Sequence, residues 1–166
     1  MCKWITEPER FTPEHKTIID CIKWHLAIKN KYSTLFQELN SDTYDEDGVA
    51  CLGDLKTTSE IMFLICRDKE YISRLGYINV ARIEAAMMYG RELWYKNRNG
   101  YTDYDEELSK IEISDLTRWM KVFHIPPTIE EGGNVERAVE YTLGKRPEFL
   151  QLYVDAYEKY RESEQA

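Results

Sequence analysis

Two short stretches of this chain gather carboxylates beside tyrosines: Tyr44, Asp45, Glu46 and Asp47 in one, and Tyr101, Asp103, Tyr104, Asp105 and Glu106 in the other. Acids clustered around a turn can do two kinds of chemistry. They can wrap a hard divalent cation in oxygen ligands, or they can meet the lysines and arginines of another macromolecule. The tyrosines add large amphipathic contact area at low entropic cost.

The cation reading can be tested by register. With Gly100 as the sixth residue of a twelve-residue calcium loop, Asn97, Asn99, Asp103 and Glu106 take ligand positions, and this stretch resembles the second half of an EF-hand loop. The first ligand position is then Tyr95, which has no carboxylate. With Gly48 as the sixth residue, Asp45, Asp47 and Asp54 take ligand positions and Thr43 falls first. Both loops fail at the same ligand, and Gly, Asn and Asp are also what ordinary turns use. No metal or other cofactor is therefore expected, and a carboxylate-based divalent-metal protein or enzyme stands as the alternative.

Other chemistry is poorly supported. Cys21 and His25 lie one helical turn apart, a zinc-like spacing, but two ligands do not make a site, and His25 falls near an apolar stripe where a hydrogen-bonded core histidine is the ordinary explanation. The chain has no Gly-x-Ser-x-Gly elbow and no glycine-rich phosphate loop. No catalytic residue is assigned, and a non-enzymatic role is expected.

The acidity is local. The chain has 166 residues and a net charge of −8. Residues 40–60 and 101–115 each carry six acids against one lysine, so the remainder is close to balanced. This balance opposes direct binding to nucleic acid, which needs cationic neutralisation of phosphates. No apolar run approaches the roughly 18 residues of a membrane span, and the start lacks the apolar segment of a secretory signal. A cytoplasmic protein with four free thiols (Cys2, Cys21, Cys51, Cys66) is expected, with Cys66 as a small core residue.

The periodicity predicts an all-α fold: one domain over residues 1–166, with an arm over 1–12 pinned by Trp4 and Phe11 and about six helices. Thr12-Pro13 opens a long first helix running to about Leu39, on which Ile18, Ile22, Leu26, Tyr32, Leu35, Phe36 and Leu39 share a face; its length makes it the expected spine. Thr57-x-x-Glu60 opens a second helix that Gly76 ends. Asn79 caps a third, with Val80, Ile83, Met87, Gly90 and Trp94 facing the core, stopped by Asn97–Gly100. A fourth begins at Asp103-x-x-Glu106, with a break near Ser114, and ends before Pro126-Pro127. A fifth spans Val135 to Leu143, closed by Gly144, and the last starts at Pro147.

The reading that follows is a protein-binding module whose acidic, aromatic loops occupy the basic surface of a partner. A nucleic-acid-handling enzyme offers such a surface, because carboxylates can stand in for phosphates there. Inhibitors, nucleic-acid mimics and the immunity or counter-defence proteins of phages and mobile elements share this character by analogy of type. A structural homo-oligomer subunit is the further alternative.

Overall fold

The computed structural model describes residues 17–41 and 55–166. Its regular structure is helical, with no strand among the described residues: α1 (Ile18–Ser41), α2 (Leu55–Arg74), α3 (Tyr77–Asn99), α4 (Asp105–Lys110), α5 (Leu116–Val122), α6 (Val135–Gly144) and α7 (Pro147–Gln165). The all-α expectation holds. Thr12, Pro13, Trp4, Phe11, Cys2 and Cys51 lie outside the described residues.

The core is organised around α3, about 34 Å long at 1.5 Å per residue. Val80, Ile83 and Met87 are buried on its expected face, but Ala81, Ala85 and Ala86 are buried too. A helix buried on several faces is one that others wrap, and α1, α2, α5, α6 and α7 all pack against it. Alanine at those positions lets neighbouring helices approach. The closest approach is at Gly90, where a Cβ would fall 1.7 Å from the Phe149 carbonyl oxygen, so the start of α7 rests directly on the α3 backbone.

An aromatic cluster fills the space beside this contact. Tyr89 meets Trp119 edge-on at 4.8 Å and Tyr153 at 5.8 Å, the geometry aromatic quadrupoles favour. Each polar handle finds a carbonyl: Tyr153 Oη donates to Ile113 O at 3.0 Å and Trp119 Nε1 to Glu112 O at 3.2 Å. Full burial of side chains this large contributes on the order of 2–3 kcal/mol each.

Several sequence expectations need correction. α1 is not the spine: Cys21, Ile22, His25, Leu26 and Lys29 form its buried stripe, whereas Phe36 is 46% exposed. Asn79 does not cap α3. It lies inside that helix and sends Nδ2 back to Leu75 O at 2.8 Å, satisfying a carbonyl at the end of α2, while Gly76 (φ 78°) makes the turn. The break expected near Ser114 is present and divides the fourth helix in two, because Ile111 is extended and Asp115 accepts from Arg118 N to begin α5 afresh. Ile111 and Ile113 are both buried, a spacing of two that suits extended chain and not a helix face. Cys66 is exposed: the buried stripe of α2 runs through Ile61, Leu64, Asp68, Tyr71 and Ile72 and leaves position 66 outside it.

The two helix ends after α5 and α6 exchange their expected chemistry. Gly144 has no left-handed backbone, and the last α6 carbonyls are instead met by the Lys29 ammonium, 2.6 Å from both Leu143 O and Lys145 O. After α5 it is His124 that is left-handed (φ 55°). His124 N donates to Lys121 O and Ile125 N to Met120 O, the bond pair of a Schellman cap with an imidazole where glycine is usual.

Gly90→Ala must push α7 off α3 and should cost about 3 kcal/mol or more in urea denaturation. Gly144→Ala meets open space at an ordinary φ and should be neutral or stabilise by up to about 1 kcal/mol. The phenols of Tyr32, Tyr71, Tyr77, Tyr89 and Tyr153 are all held above the ordinary tyrosine range, first of all by burial. Unfolded tyrosines ionise near pH 10, so above that pH the native state holds the more protons. Stability should be level approaching pH 10 and fall steeply above it, with tyrosinate absorbance at 295 nm growing in step with the loss of helical circular dichroism.

Candidate functional site

The second acidic stretch is presented by a well-fixed turn. Gly100, left-handed at φ 76°, caps α3 with its N–H on Lys96 O at 2.7 Å. Tyr101 follows and is 66% exposed, the most exposed of the large hydrophobic side chains among the described residues. Thr102 is buried on its other side. Asp103 is exposed.

The remaining members of this group divide. Tyr104 turns inward and meets Phe123 edge-on at 5.1 Å, so it anchors the loop and is not part of the outward contact zone. Asp105 forms an ion pair with Lys96, Nζ lying 2.5 Å from Oδ1 without the direction of a hydrogen bond. Glu106 is exposed and accepts from Lys110 one turn on, a hydrogen bond that holds its carboxyl below the usual carboxylate range. Arg98 stacks its guanidinium 4.5 Å over Trp94 at the same end of α3, so basic groups border the patch. Tyr44, Asp45, Glu46 and Asp47 lie outside the described residues. No three His, Cys, Asp or Glu side chains among the described residues are placed to hold a metal ion.

A second polar group is buried between α1 and α2. His25 and Asp68 are 1% and 0% exposed, and His25 Nδ1 lies 2.8 Å from each Asp68 carboxylate oxygen. Tyr32 Oη donates to Asp68 Oδ2 at a long 3.4 Å. One turn away, Tyr71 Oη donates to Cys21 Sγ at 3.4 Å, and burial pushes the Cys21 thiol up. The Cys21–His25 spacing therefore serves two separate contacts across the helix pair. An Asp orienting a His is also the base arrangement of hydrolases, but here both side chains are closed off from solvent and burial keeps the thiol protonated.

The third feature is a cavity of about 430 Å³ between α3, the α5–α6 connection and α6. Tyr77, Glu84 and Met88 of α3 form one side, with Phe123, His124 and Arg137 among the others. Tyr77 lies so close over Gly133 that a Cβ there would be 2.1 Å from its ring. Burial holds the Glu84 carboxyl above its usual range, while the nearby Arg137 charge opposes the shift. The two make no ion pair with each other within 4.0 Å, and neither side chain bonds another described residue. Phe123 also carries Tyr104, so the cavity and the acidic turn share a wall. A larger groove of about 920 Å³ lies beside α1 and α7 and holds the Lys23–Glu158 ion pair at 2.6 Å.

Sequence reasoning missed Asp68, Lys29, Glu84 and Arg137. Asp68 and Lys29 had a readable signal, because each occupies a position on the apolar stripe of its helix, where a charge needs a partner. Glu84 and Arg137 had none, since they meet only through the tertiary fold.

Asp68→Ala and His25→Ala should each cost about 3–5 kcal/mol, because either change strands a buried polar partner. The double variant should be less destabilised than the sum by about 1–3 kcal/mol. Urea denaturation of the four proteins measures this coupling, and strict additivity would show that the pair is not a unit.

No family model matches this chain, and no curated protein or solved structure matches it significantly.

Proposed function

We propose that this is a non-enzymatic binding protein that docks on the basic surface of another protein, with Tyr101 as the anchor and the surrounding carboxylates as the steering charge. The observation that supports it is the presentation of Tyr101: a large ring left 66% exposed on a turn that the Gly100 cap fixes on one side and buried Thr102 on the other. A rigid, amphipathic ring loses little freedom on binding, which is why such residues act as hot spots. Asp103 and Glu106 are exposed close to it in sequence, and Glu112 is exposed just beyond α4. The Glu106–Lys110 contact is a solvent-exposed pair one helical turn apart, weak enough to exchange for a partner's arginine.

The partner that fits is a protein with a phosphate-binding groove, in which carboxylates take the place of phosphates. In this reading the protein is an inhibitor of a nucleic-acid-handling enzyme, of the immunity or counter-defence type found in phages and mobile elements, and it acts in the cytoplasm. No helix among the described residues is long and apolar enough to cross a membrane.

Affinity capture with the full chain, followed by binding kinetics on the captured partner, tests this. A basic, nucleic-acid-binding protein should be retained. The Asp103→Asn, Glu106→Gln, Glu112→Gln variant should associate roughly tenfold more slowly at low salt with a flatter salt dependence. Tyr101→Ala should act mainly by faster dissociation. Association that stays as fast and as salt-sensitive in the neutralised variant would reject the proposal.

A further inference from the structure

Glu84 and Arg137 present opposite charges to one cavity without closing on each other. The cost falls on Glu84, which is half-buried, whereas Arg137 is solvent-exposed. An uncompensated, half-buried carboxylate is disfavoured by desolvation, and burial indeed raises the Glu84 carboxyl. A salt bridge to Arg137 would relieve the cost, yet none forms within 4.0 Å. The rest of the wall is largely apolar or aromatic, through Tyr77, Met88, Phe123 and Ile125, and the volume of about 430 Å³ falls in the roughly 300–1,000 Å³ range of small-molecule sites.

A second departure from the most stable choice borders the same space. His124 adopts a left-handed backbone that glycine takes without steric penalty and that costs other residues on the order of 1 kcal/mol. His124 is one of the residues that line the cavity. The backbone at the start of α6 also faces it, through Gly132, Gly133 and Asn134; the Gly132, Gly133 and Arg137 N–H groups are taken by Ile129 O, Thr128 O and Asn134 Oδ1, and it is the positive end of the α6 dipole that favours negative charge there. Acid therefore stands on the α3 side, and positive potential on the α6 side.

We propose that this cavity binds a small zwitterion of the free amino-acid type, its ammonium on Glu84, its carboxylate on Arg137 and the start of α6, and its apolar side chain against Met88 and Phe123. Such a ligand matches both charges at once, across a short carbon framework. A simple cation would answer Glu84 alone and a simple anion would be repelled by it, whereas the solvent-exposed Arg137 of the same lining offers its guanidinium to a ligand that carries both charges. This inference goes beyond the docking role of the acidic turn and does not rest on it.

The test uses the full chain with methionine methyl groups labelled for NMR, so that Met88 reports from the wall. L-Leucine, L-methionine and L-phenylalanine are titrated, alongside 3-methylbutylamine and 4-methylpentanoate, which each keep one charge of leucine. At least one amino acid should give a saturable shift of the Met88 methyl, and each one-charge analogue of leucine should bind at least about tenfold more weakly than leucine. Glu84→Gln and Arg137→Gln should each lose about tenfold or more in affinity. Glu84→Gln should also melt at a higher temperature than the parent without ligand, because it removes a desolvated charge. Absence of a saturable shift with all three amino acids up to about 10 mM, a range that reaches millimolar affinities, would overturn the proposal. So would undiminished binding in a folded Glu84→Gln variant.

Discussion

The missing side chain at position 90 is the constraint on which this architecture rests. With only hydrogen there, the Phe149 carbonyl and the first turn of α7 settle onto the α3 backbone. That approach sets the height at which Tyr153 enters the core and so brings its hydroxyl to Ile113 O and its ring to Tyr89. Tyr89 in turn packs on Trp119, which stacks on Phe123 at 5.5 Å. A chain of rigid rings thus carries the geometry of one backbone contact across α3 to the far connection, where the acidic turn and the cavity meet. Close-packed interiors transmit displacement in this way because they have no slack to absorb it.

The other side of the molecule is held by polar groups placed where apolar ones would be expected. His25 and Asp68 face each other across α1 and α2, and Lys29 reaches from α1 to the last carbonyls of α6. None of these contacts is a strong net source of stability, since burying charge costs much of what pairing returns. Their effect is selective. A slip of one helix past the other would leave Asp68 unpaired in an apolar seam, which is far worse than a slip between hydrocarbon surfaces, so the pair specifies the register. Burial lowers the Lys29 ammonium from its ordinary value, and the Asp68 and Glu148 charges partly offset this.

What could be read in the sequence follows the range of the interactions. Helix existence depends on local periodicity, and the helical segments were recovered, including the break near Ser114; the Asn134 side chain, which accepts from Arg137 N at 2.8 Å, caps the helix that begins at Val135. Rank among the helices was not recoverable. A helix wrapped on all sides carries a blurred pattern, so α3, with alanines on its flanks, looked ordinary while longer α1 looked like the spine. End caps were misread where a distant side chain supplied the bond, as Lys29 does for α6. The acidic turn at 101–106 was visible as composition, but its division into outward Tyr101 and inward Tyr104 depends on Phe123, nearly twenty residues away in sequence. Glu84 and Arg137 are unremarkable charged residues until the fold brings them to the same space.

The places where this chain departs from its most stable option are informative for that reason. A folded protein tolerates a few local conflicts, and they concentrate where selection acts on something other than stability. Gly100 and Gly76 sit where a left-handed backbone is needed and conflict with nothing. His124 does conflict, and so does the unpaired, half-buried Glu84 on the opposite wall of the same cavity. The exposure of Tyr101 is a third departure, because a tyrosine of that size could have packed as Tyr104 does. Glu84 and His124 share the cavity with Phe123, which in turn supports Tyr104, three residues on from Tyr101. Phe123 is therefore the side chain through which a group inside the cavity would bear on the turn that presents Tyr101, by way of Tyr104.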